Sequence, residues 1–477
     1  MRAFDLLPAA GRVDPDSPAL LTGDMVVSHG ALRAAVGAAA AALAAPRKGL
    51  VLIGMAPDPA PVTAWLGALA AGEAALLLDV GLARMLPDFA AAWTPRLVLW
   101  PTALPVPTLP GGWRTVPSPI AGMAAWTRLA GEETEIHPEL ALLLPTSGST
   151  GGVKLVRLSY AALAANTTAI VAALGIRTED RAVGHLPLGF AFGLSVLDSQ
   201  LAAGGSVLLA RDGFLTSGFW QAVRAARCTG LPGVPYHAET LLRLGIDRLA
   251  VPELTTILQA GGRCAPEVLL RLHAAMAPRG GRVHAMYGQT EAGPRMAVLP
   301  PAELPRRPGA VGPALPGGRF TIVGEDGEPL PPGAVGEIIH HGPGVMMGYA
   351  DRRCDLARGD GLKGRLATGD LGRLDADGYL SVTGRLKRIA KICGLRLSLD
   401  DVEALAAPLA PVAAVEHGGR LLVAVSGTPA EAVRVRAHLL ERLELPRTAL
   451  ACVAREGPPP QLPSGKTDYA RLVRELG

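Results

Sequence analysis

Short runs of consecutive apolar residues alternate with stretches of helical periodicity through most of this 477-residue chain. Gly49-Leu50-Val51-Leu52-Ile53-Gly54 is followed by an alanine-rich helical pattern and then by Ala74-Ala75-Leu76-Leu77-Leu78-Asp79. A strand that is apolar at successive positions is covered on both faces. Such strands separated by helices predict α/β layering with largely parallel sheets. The same alternation recurs over residues 160–210 and 215–290. After about residue 310 the pattern changes: Arg319-Phe320-Thr321-Ile322-Val323 and Gly336-Glu337-Ile338-Ile339-His340-His341 flank Asp-Gly and Pro-Gly turns, which predicts a small β-rich subdomain. The last ninety or so residues read as a separate small α+β unit, with a helix starting near Leu399-Asp400-Asp401, a strand at Arg420–Val425 and a helix over 429–443. The alanine-rich run from Ala34 to Pro46 is too short to span a bilayer and is expected to be a packed helix.

Composition narrows this picture. The chain is too long for one core, so at least two folding units are expected. With 49% hydrophobic and 18% charged residues it is not disordered, and the scarcity of aromatics (4%) leaves the core to Ala, Leu and Val. Net charge is +4, from 46 basic and 42 acidic residues, which gives no argument for nucleic acid. Five scattered cysteines, never at CxxC spacing, exclude a disulfide framework and fit a reducing compartment. The N-terminal stretch lacks the apolar core of a signal peptide, so a cytoplasmic location is expected.

The strongest local signal is Leu144-Pro145-Thr146-Ser147-Gly148-Ser149-Thr150-Gly151-Gly152-Val153-Lys154. An apolar strand runs into a loop of Gly, Ser and Thr that ends in a lysine. Such a loop offers open backbone N–H groups, hydroxyl donors and one cation, which is what a polyphosphate requires. It is not a Walker A loop, because no Gly-Lys-Ser/Thr closes it. Four further motifs follow in order: His284-Ala285-Met286-Tyr287-Gly288-Gln289-Thr290-Glu291, Ala367-Thr368-Gly369-Asp370, Gly384-Arg385-Leu386-Lys387-Arg388, and Pro463-Ser464-Gly465-Lys466-Thr467-Asp468. This ordered set resembles the ANL superfamily of adenylate-forming enzymes, which includes acyl-CoA synthetases, peptide-synthetase adenylation domains and luciferases. The resemblance extends from about residue 20 to 470.

The resemblance implies an AMP-binding domain over residues 1–384, a mobile C-terminal domain over 385–477 and an active site between them. It implies ATP-dependent activation of a small carboxylic acid as its acyl-adenylate, then transfer to the thiol of CoA or of a carrier protein's phosphopantetheine. Thr146, Ser147, Gly148, Ser149, Thr150, Gly151 and Lys154 would hold the β- and γ-phosphates, and Thr290 would donate to the α-phosphate. Glu291 would bind Mg²⁺, a hard cation that prefers carboxylate oxygen. Tyr287 would stack on adenine, with Gly261 and Gly262 letting backbone approach the base; Asp370 and Arg385 would hold the ribose hydroxyls. Lys466 would bridge the substrate carboxylate and the α-phosphate, Lys387 would be the hinge, and Gly394 would border the pantetheine tunnel. Phe192, Gly193, Val234, Tyr236 and Gln289 are the expected pocket residues.

Two departures stand out. Val153 replaces the usual proline of the phosphate loop, which removes no ligand. Phe192-Gly193 stands where amino-acid activators carry Phe-Asp, so nothing there pairs with an ammonium, and Gly193 is expected to leave room for a substrate side chain. His185, His237 and His284 are read as structural, because a carboxylate is already ionised and needs no general base. Transfer to an amine, activation of an amino acid, and a nucleotide-binding pseudoenzyme are the alternatives; the last is opposed by the presence of Lys154, Thr290, Glu291, Asp370, Arg385 and Lys466 together.

Overall fold

The computed structural model describes residues 6–9, 11–23, 25–129, 135–147, 153–392, 395–443, 445–462 and 467–477. The chain divides into two compact units. The first comprises residues 1–320, 339–366 and 375–381, and the second 321–338, 367–374 and 382–477. The boundary expected after residue 384 falls inside the strand Leu380–Arg385, whose last four residues belong to the second unit.

Two eight-stranded sheets build the first unit. One runs Gly348–Ala350, Val153–Ser159, Leu140–Ser147, Ala74–Asp79, Leu50–Met55, Leu97–Pro101, Met123–Arg128, Trp113–Val116. Its middle strands are parallel and its flanks antiparallel. The expected alternation is visible in the packing. Val51, Ile53, Met55, Ala75 and Leu77 meet Leu32, Val36, Trp65 and Leu69 of the helices His29–Leu43 and Pro59–Ala70. Leu50, Leu52, Ala74, Leu76 and Leu78 meet Leu86, Phe89 and Trp93 on the opposite face. Both faces are covered, so the strand positions are apolar up to Asp79, which ends the second strand. The alanine-rich run is the first of those two helices, capped by Ser28, whose hydroxyl accepts from the Ala31 N–H at 3.2 Å. Small residues suit its close approach to the second helix, since a Cβ at Gly67 would lie 2.6 Å from Ala39 Cβ. Asp198, buried in this unit, accepts from Trp65 Nε1 at 3.1 Å, and burial pushes its carboxyl up to about 7.

The other large sheet runs Ala297–Val298, Arg282–Tyr287, Thr256–Gln259, Gly230–Gly233, Arg181–Val183, Ser206–Leu208, Pro18–Leu21, Val26–Ser28, again parallel inside and antiparallel at both ends. His185 packs beside it among Phe214 at 5.6 Å, Phe219 at 5.5 Å and His237 at 4.9 Å between ring centres. Both of its ring nitrogens are buried without a partner among the described residues. Burial, and then the neighbouring His237, depress its pKa from 6.5 to about 3. A depressed pKa means that the unfolded chain takes up a proton that the folded one refuses. The stability this group contributes is therefore present above pH 6.5 and is lost as pH falls from 6.5 toward 3. Over that window the wild type should lose stability relative to His185→Phe by about 1.4 kcal/mol per pH unit. Melting temperatures of both proteins from neutral to acidic pH test this; parallel curves would refute it.

The second unit includes the parts of a four-stranded sheet that fall in residues 321–338, 367–374 and 382–385. Its C-terminal part holds the hairpin Ile389–Ile392 with Leu395–Ser398 and the three-stranded sheet Val412–His417, Arg420–Ser426, Leu450–Arg455. Ser398 caps the helix Leu399–Ala406, accepting from the Asp401 N–H, and Asp400 and Asp401 lie in its first turn, where acids suit the helix dipole. Thr428 and Glu431 form a capping box on Pro429–Leu443. Arg388, from the basic stretch, turns inward to Asp400 at 2.7 Å and Glu403 at 2.6 Å, with its guanidinium 3.7 Å from the Tyr469 ring centre. No helix among the described residues is long and apolar enough to cross a membrane.

Candidate active site

In the first unit, the strands on either side of the glycine-rich loop form a hairpin in which Thr146 faces Lys154 and Ser147 faces Val153. Thr146 Oγ1 donates to the Lys154 carbonyl at 3.3 Å. Gly148, Ser149, Thr150 and Gly151 lie outside the described residues. The strand Gly348–Ala350 pairs antiparallel with Val153–Ser159, placing Ala350 opposite Leu155 and so bringing Asp351 alongside Lys154. Lys154 Nζ is 3.7 Å from Asp351 Oδ1 and 5.7 Å from the centre of the Tyr349 ring. The Tyr349 hydroxyl donates to Glu291 Oε1 at 2.8 Å, and the Met346 N–H donates to the Glu291 carbonyl at 2.9 Å. Burial and the adjacent Glu291 carboxylate raise the Tyr349 phenol above its usual range, so it stays a donor.

One cation, two carboxylates and a phenol thus gather at the base of the hairpin, accessible to solvent. The Lys154 and Asp351 side chains are 37% and 62% exposed. An ion pair this open contributes only about 0–1 kcal/mol, so Lys154 can leave Asp351 for a phosphate at little cost. Thr290 and Glu291 sit on the one-turn helix Thr290–Ala292 that follows the strand ending at Tyr287. Tyr349 and Asp351 were not expected from the sequence, where only a strand pairing could have placed them.

Tyr287 ends the strand Arg282–Tyr287, and Gly261 and Gly262 follow the adjacent parallel strand Thr256–Gln259. Ligands of α/β sheets collect at such carboxyl ends of parallel strands. Gly261 has φ +77°, and a Cβ there would lie 2.9 Å from Val234 Cγ1 and 3.8 Å from Phe192 Cδ1, so Phe192 and Val234 converge beside it. Gln259 Nε2 donates to the Gly262 carbonyl at 3.2 Å. Gln289 is half-buried. Tyr236 stands at the surface, 48% exposed.

Gly193 corrects the sequence reading. It lies in the buried first turn of the helix Ala191–Ala202, and a Cβ there would be 2.4 Å from the Pro187 carbonyl oxygen and 2.8 Å from that of Leu186. Neighbouring backbone fills the space, so this glycine opens no room for a substrate side chain. Another buried residue went unremarked: Arg295 is 1% exposed, with its Cζ 5.3 Å from the centre of the Phe192 ring. The signal was a lone arginine within Ala292-Gly293-Pro294-Arg295-Met296-Ala297-Val298.

In the second unit, Asp370 is 3% exposed and pairs with Arg385, Nε to Oδ1, at 3.0 Å. Its N–H donates to Thr368 Oγ1 at 3.1 Å, while the Thr368 hydroxyl donates to the Ile338 carbonyl at 2.7 Å. Lys387 is exposed on the single turn Leu386–Arg388. Gly394 and Lys466 lie outside the described residues. Burial raises the Cys264 thiol to about 12, which leaves it un-ionised and inert at neutral pH.

A family model described as AMP-binding enzyme matches residues 7–350. An indoleacetate–CoA ligase from Aromatoleum aromaticum is 32% identical over 353 residues, a match covering 68% of this chain and 68% of the relative. An oxalate–CoA ligase from Arabidopsis thaliana is 35% identical over 280 residues, covering 56% of this chain but 52% of the relative, about half its length. Among solved structures, an o-succinylbenzoate CoA synthetase from Bacillus subtilis, in complex with its acyl-adenylate intermediate, gives a TM-score of 0.76 over 96% of this chain and 95% of that one. At 23% identity that likeness is one of fold.

Proposed function

The chain belongs to the family of AMP-binding enzymes, and from that premise we propose that it activates a carboxylic acid with ATP and passes the acyl group to a thiol. The observation that carries this reading is the gathering of Lys154, Tyr349, Glu291 and Asp351 at the base of the glycine-rich hairpin. A carboxylate oxygen of the acid attacks the α-phosphorus of ATP, the bond to the bridging oxygen breaks, and pyrophosphate leaves. Two anions must meet in this step, so cations and fixed donors lower its barrier. Lys154 and the hairpin hold the outer phosphates, and Thr290 donates to the α-phosphate. Asp370 accepts from the ribose hydroxyls and Arg385 donates to the same sugar. In the second step the sulfur of the thiol attacks the acyl carbon, the bond to AMP breaks, and the thiol proton passes to solvent.

Magnesium fits the donor set, because Glu291 presents carboxylate oxygen beside solvent with Tyr349 engaging Oε1 alone among its described bonds. Glu291 would hold the ion, which would neutralise phosphate charge when bound. Lys466 serves the first step only, and the segment after residue 384 moves about Lys387 to admit the thiol, which belongs to CoA or to a carrier protein's phosphopantetheine. The acid carries no free α-amino group, since Phe192-Gly193 offers no carboxylate to receive an ammonium. Pyrophosphate exchange over matched pairs of acids and their 2-amino derivatives tests both points. Exchange should favour the unaminated member, and mass spectrometry should then detect a thioester with CoA or a carrier protein. A tenfold preference for the amino acids, about 1.4 kcal/mol, would overturn the substrate class.

A further inference from the structure

Arg295 has no role in the reaction as described, yet it is a costly residue to place where it is. The side chain is 1% exposed, and Nε, Nη1 and Nη2 lack a hydrogen-bond partner among the described residues. A guanidinium has five N–H donors and no acceptor. Burial lowers its pKa to about 9, still above neutrality, so the charge remains. An uncompensated buried charge is costly, so a group of opposite charge that could meet it would be strongly favoured. Proximity to the Phe192 ring replaces only part of the lost hydration.

The backbone around Arg295 is held firmly. Asn166 Nδ2 donates to the Arg295 carbonyl at 2.7 Å, the Met296 N–H donates to the Tyr287 carbonyl at 2.8 Å, and a Cβ on Gly288 would come within 2.7 Å of Arg295 Cα. The residue is thus built into the wall that carries Tyr287 and faces Phe192. A small cavity reaches the adjacent Pro294 but not Arg295 itself; its walls are mainly leucine and alanine, with Asn166, Thr167, Ser195 and Asp198 the polar side chains. Asn166 Oδ1 is another buried polar atom without a partner among the described residues, and Asp198 Oδ1 accepts from Trp65 Nε1.

We propose that Arg295 is a specificity residue, and that the acid substrate carries a second carboxylate, remote from the one adenylated, which the guanidinium receives. This rests on the adenylation reading above. The planar fork matches a carboxylate in two parallel hydrogen bonds, satisfying donors that no described residue meets. The reacting carboxylate is not that partner. It must reach the α-phosphate beside the solvent-accessible cluster of Lys154 and Glu291, whereas Arg295 is enclosed next to Phe192.

The test is pyrophosphate exchange by the wild type over straight-chain and aromatic monoacids, each beside the dicarboxylic acid of matching length, repeated with Arg295→Met and Arg295→Lys. At least one diacid should exceed its monoacid tenfold or more in kcat/KM, about 1.4 kcal/mol. In Arg295→Met the diacid-to-monoacid ratio should fall at least as far. Arg295→Lys, which keeps the charge without the fork, should recover part of it. A merely structural arginine would lower both acids together and leave the ratio unchanged. A wild type that prefers monoacids throughout overturns the proposal by itself, whether or not the variants fold. Exchange with no acid of any kind would instead overturn the adenylation reading on which the proposal stands.

Discussion

Replacing Lys466 with alanine is expected to abolish adenylate formation while sparing the thiol step. The lysine sits between Gly465 and Thr467 in the last of the ordered motifs, and the proposed mechanism gives it a part in the first half-reaction only. As the substrate carboxylate attacks the α-phosphate, negative charge concentrates between them. One lysine reaching both groups stabilises that charge more than it stabilises the separated substrates. Losing one such contact to developing charge typically raises a barrier by about 2–4 kcal/mol, roughly a thirty- to thousandfold loss of rate. Once the adenylate exists, thiol attack on the acyl carbon no longer brings two anions together. Thioester formation from synthetic acyl-AMP should therefore proceed at close to the wild-type rate. Equal loss in both half-reactions would show that Lys466 serves the fold or both steps alike.

Asp370→Asn should weaken nucleotide binding and, more tellingly, blunt the preference for an intact ribose. Asp370 is 3% exposed, with one oxygen 3.0 Å from Arg385 Nε. A carboxylate offers acceptors to two adjacent hydroxyls, and each hydrogen bond to a charged group contributes about 1.5–3 kcal/mol. Asparagine keeps the shape but carries one acceptor oxygen, no charge, and an amide that cannot accept. The KM for ATP should rise on the order of tenfold to a hundredfold, consistent with a loss of about 1.5–3 kcal/mol. The wild type should discriminate strongly against 2′,3′-dideoxy-ATP, and the variant much less. A change confined to folding would lower activity with both nucleotides and leave their ratio intact. An unchanged ratio in a folded variant would remove Asp370 from the ribose site.

Local patterns made several elements legible in advance. The runs at Leu50–Met55 and Ala74–Leu78 are strands without a polar side chain, as expected where both faces are covered. The helices Leu399–Ala406 and Pro429–Leu443 announce themselves through Ser398 with its following acids and through Thr428 with Glu431. Asp370 and Arg385 were each singled out by their motifs as ribose-binding residues; that they pair with one another, at 3.0 Å, only the folded chain shows.

The sequence by itself determined the α/β class, the family and the order of the chemical motifs. Each of these is written in contiguous residues whose periodicity or composition carries its own physical meaning. Only the tertiary structure decided what stands beside those motifs. Tyr349 reaches Glu291 across 58 positions, and Asn166 reaches the Arg295 backbone across 129. Strand pairing and helix packing set such distances, and no local spacing encodes them. The same holds for Gly193: its sequence signals a missing side chain, but only the folded backbone of Leu186 and Pro187 shows what fills the space. Arg295 is the sharpest case. As a letter in a chain it is one of many basic residues, and only packing shows that it is buried with no hydrogen-bond partner for its guanidinium among the described residues.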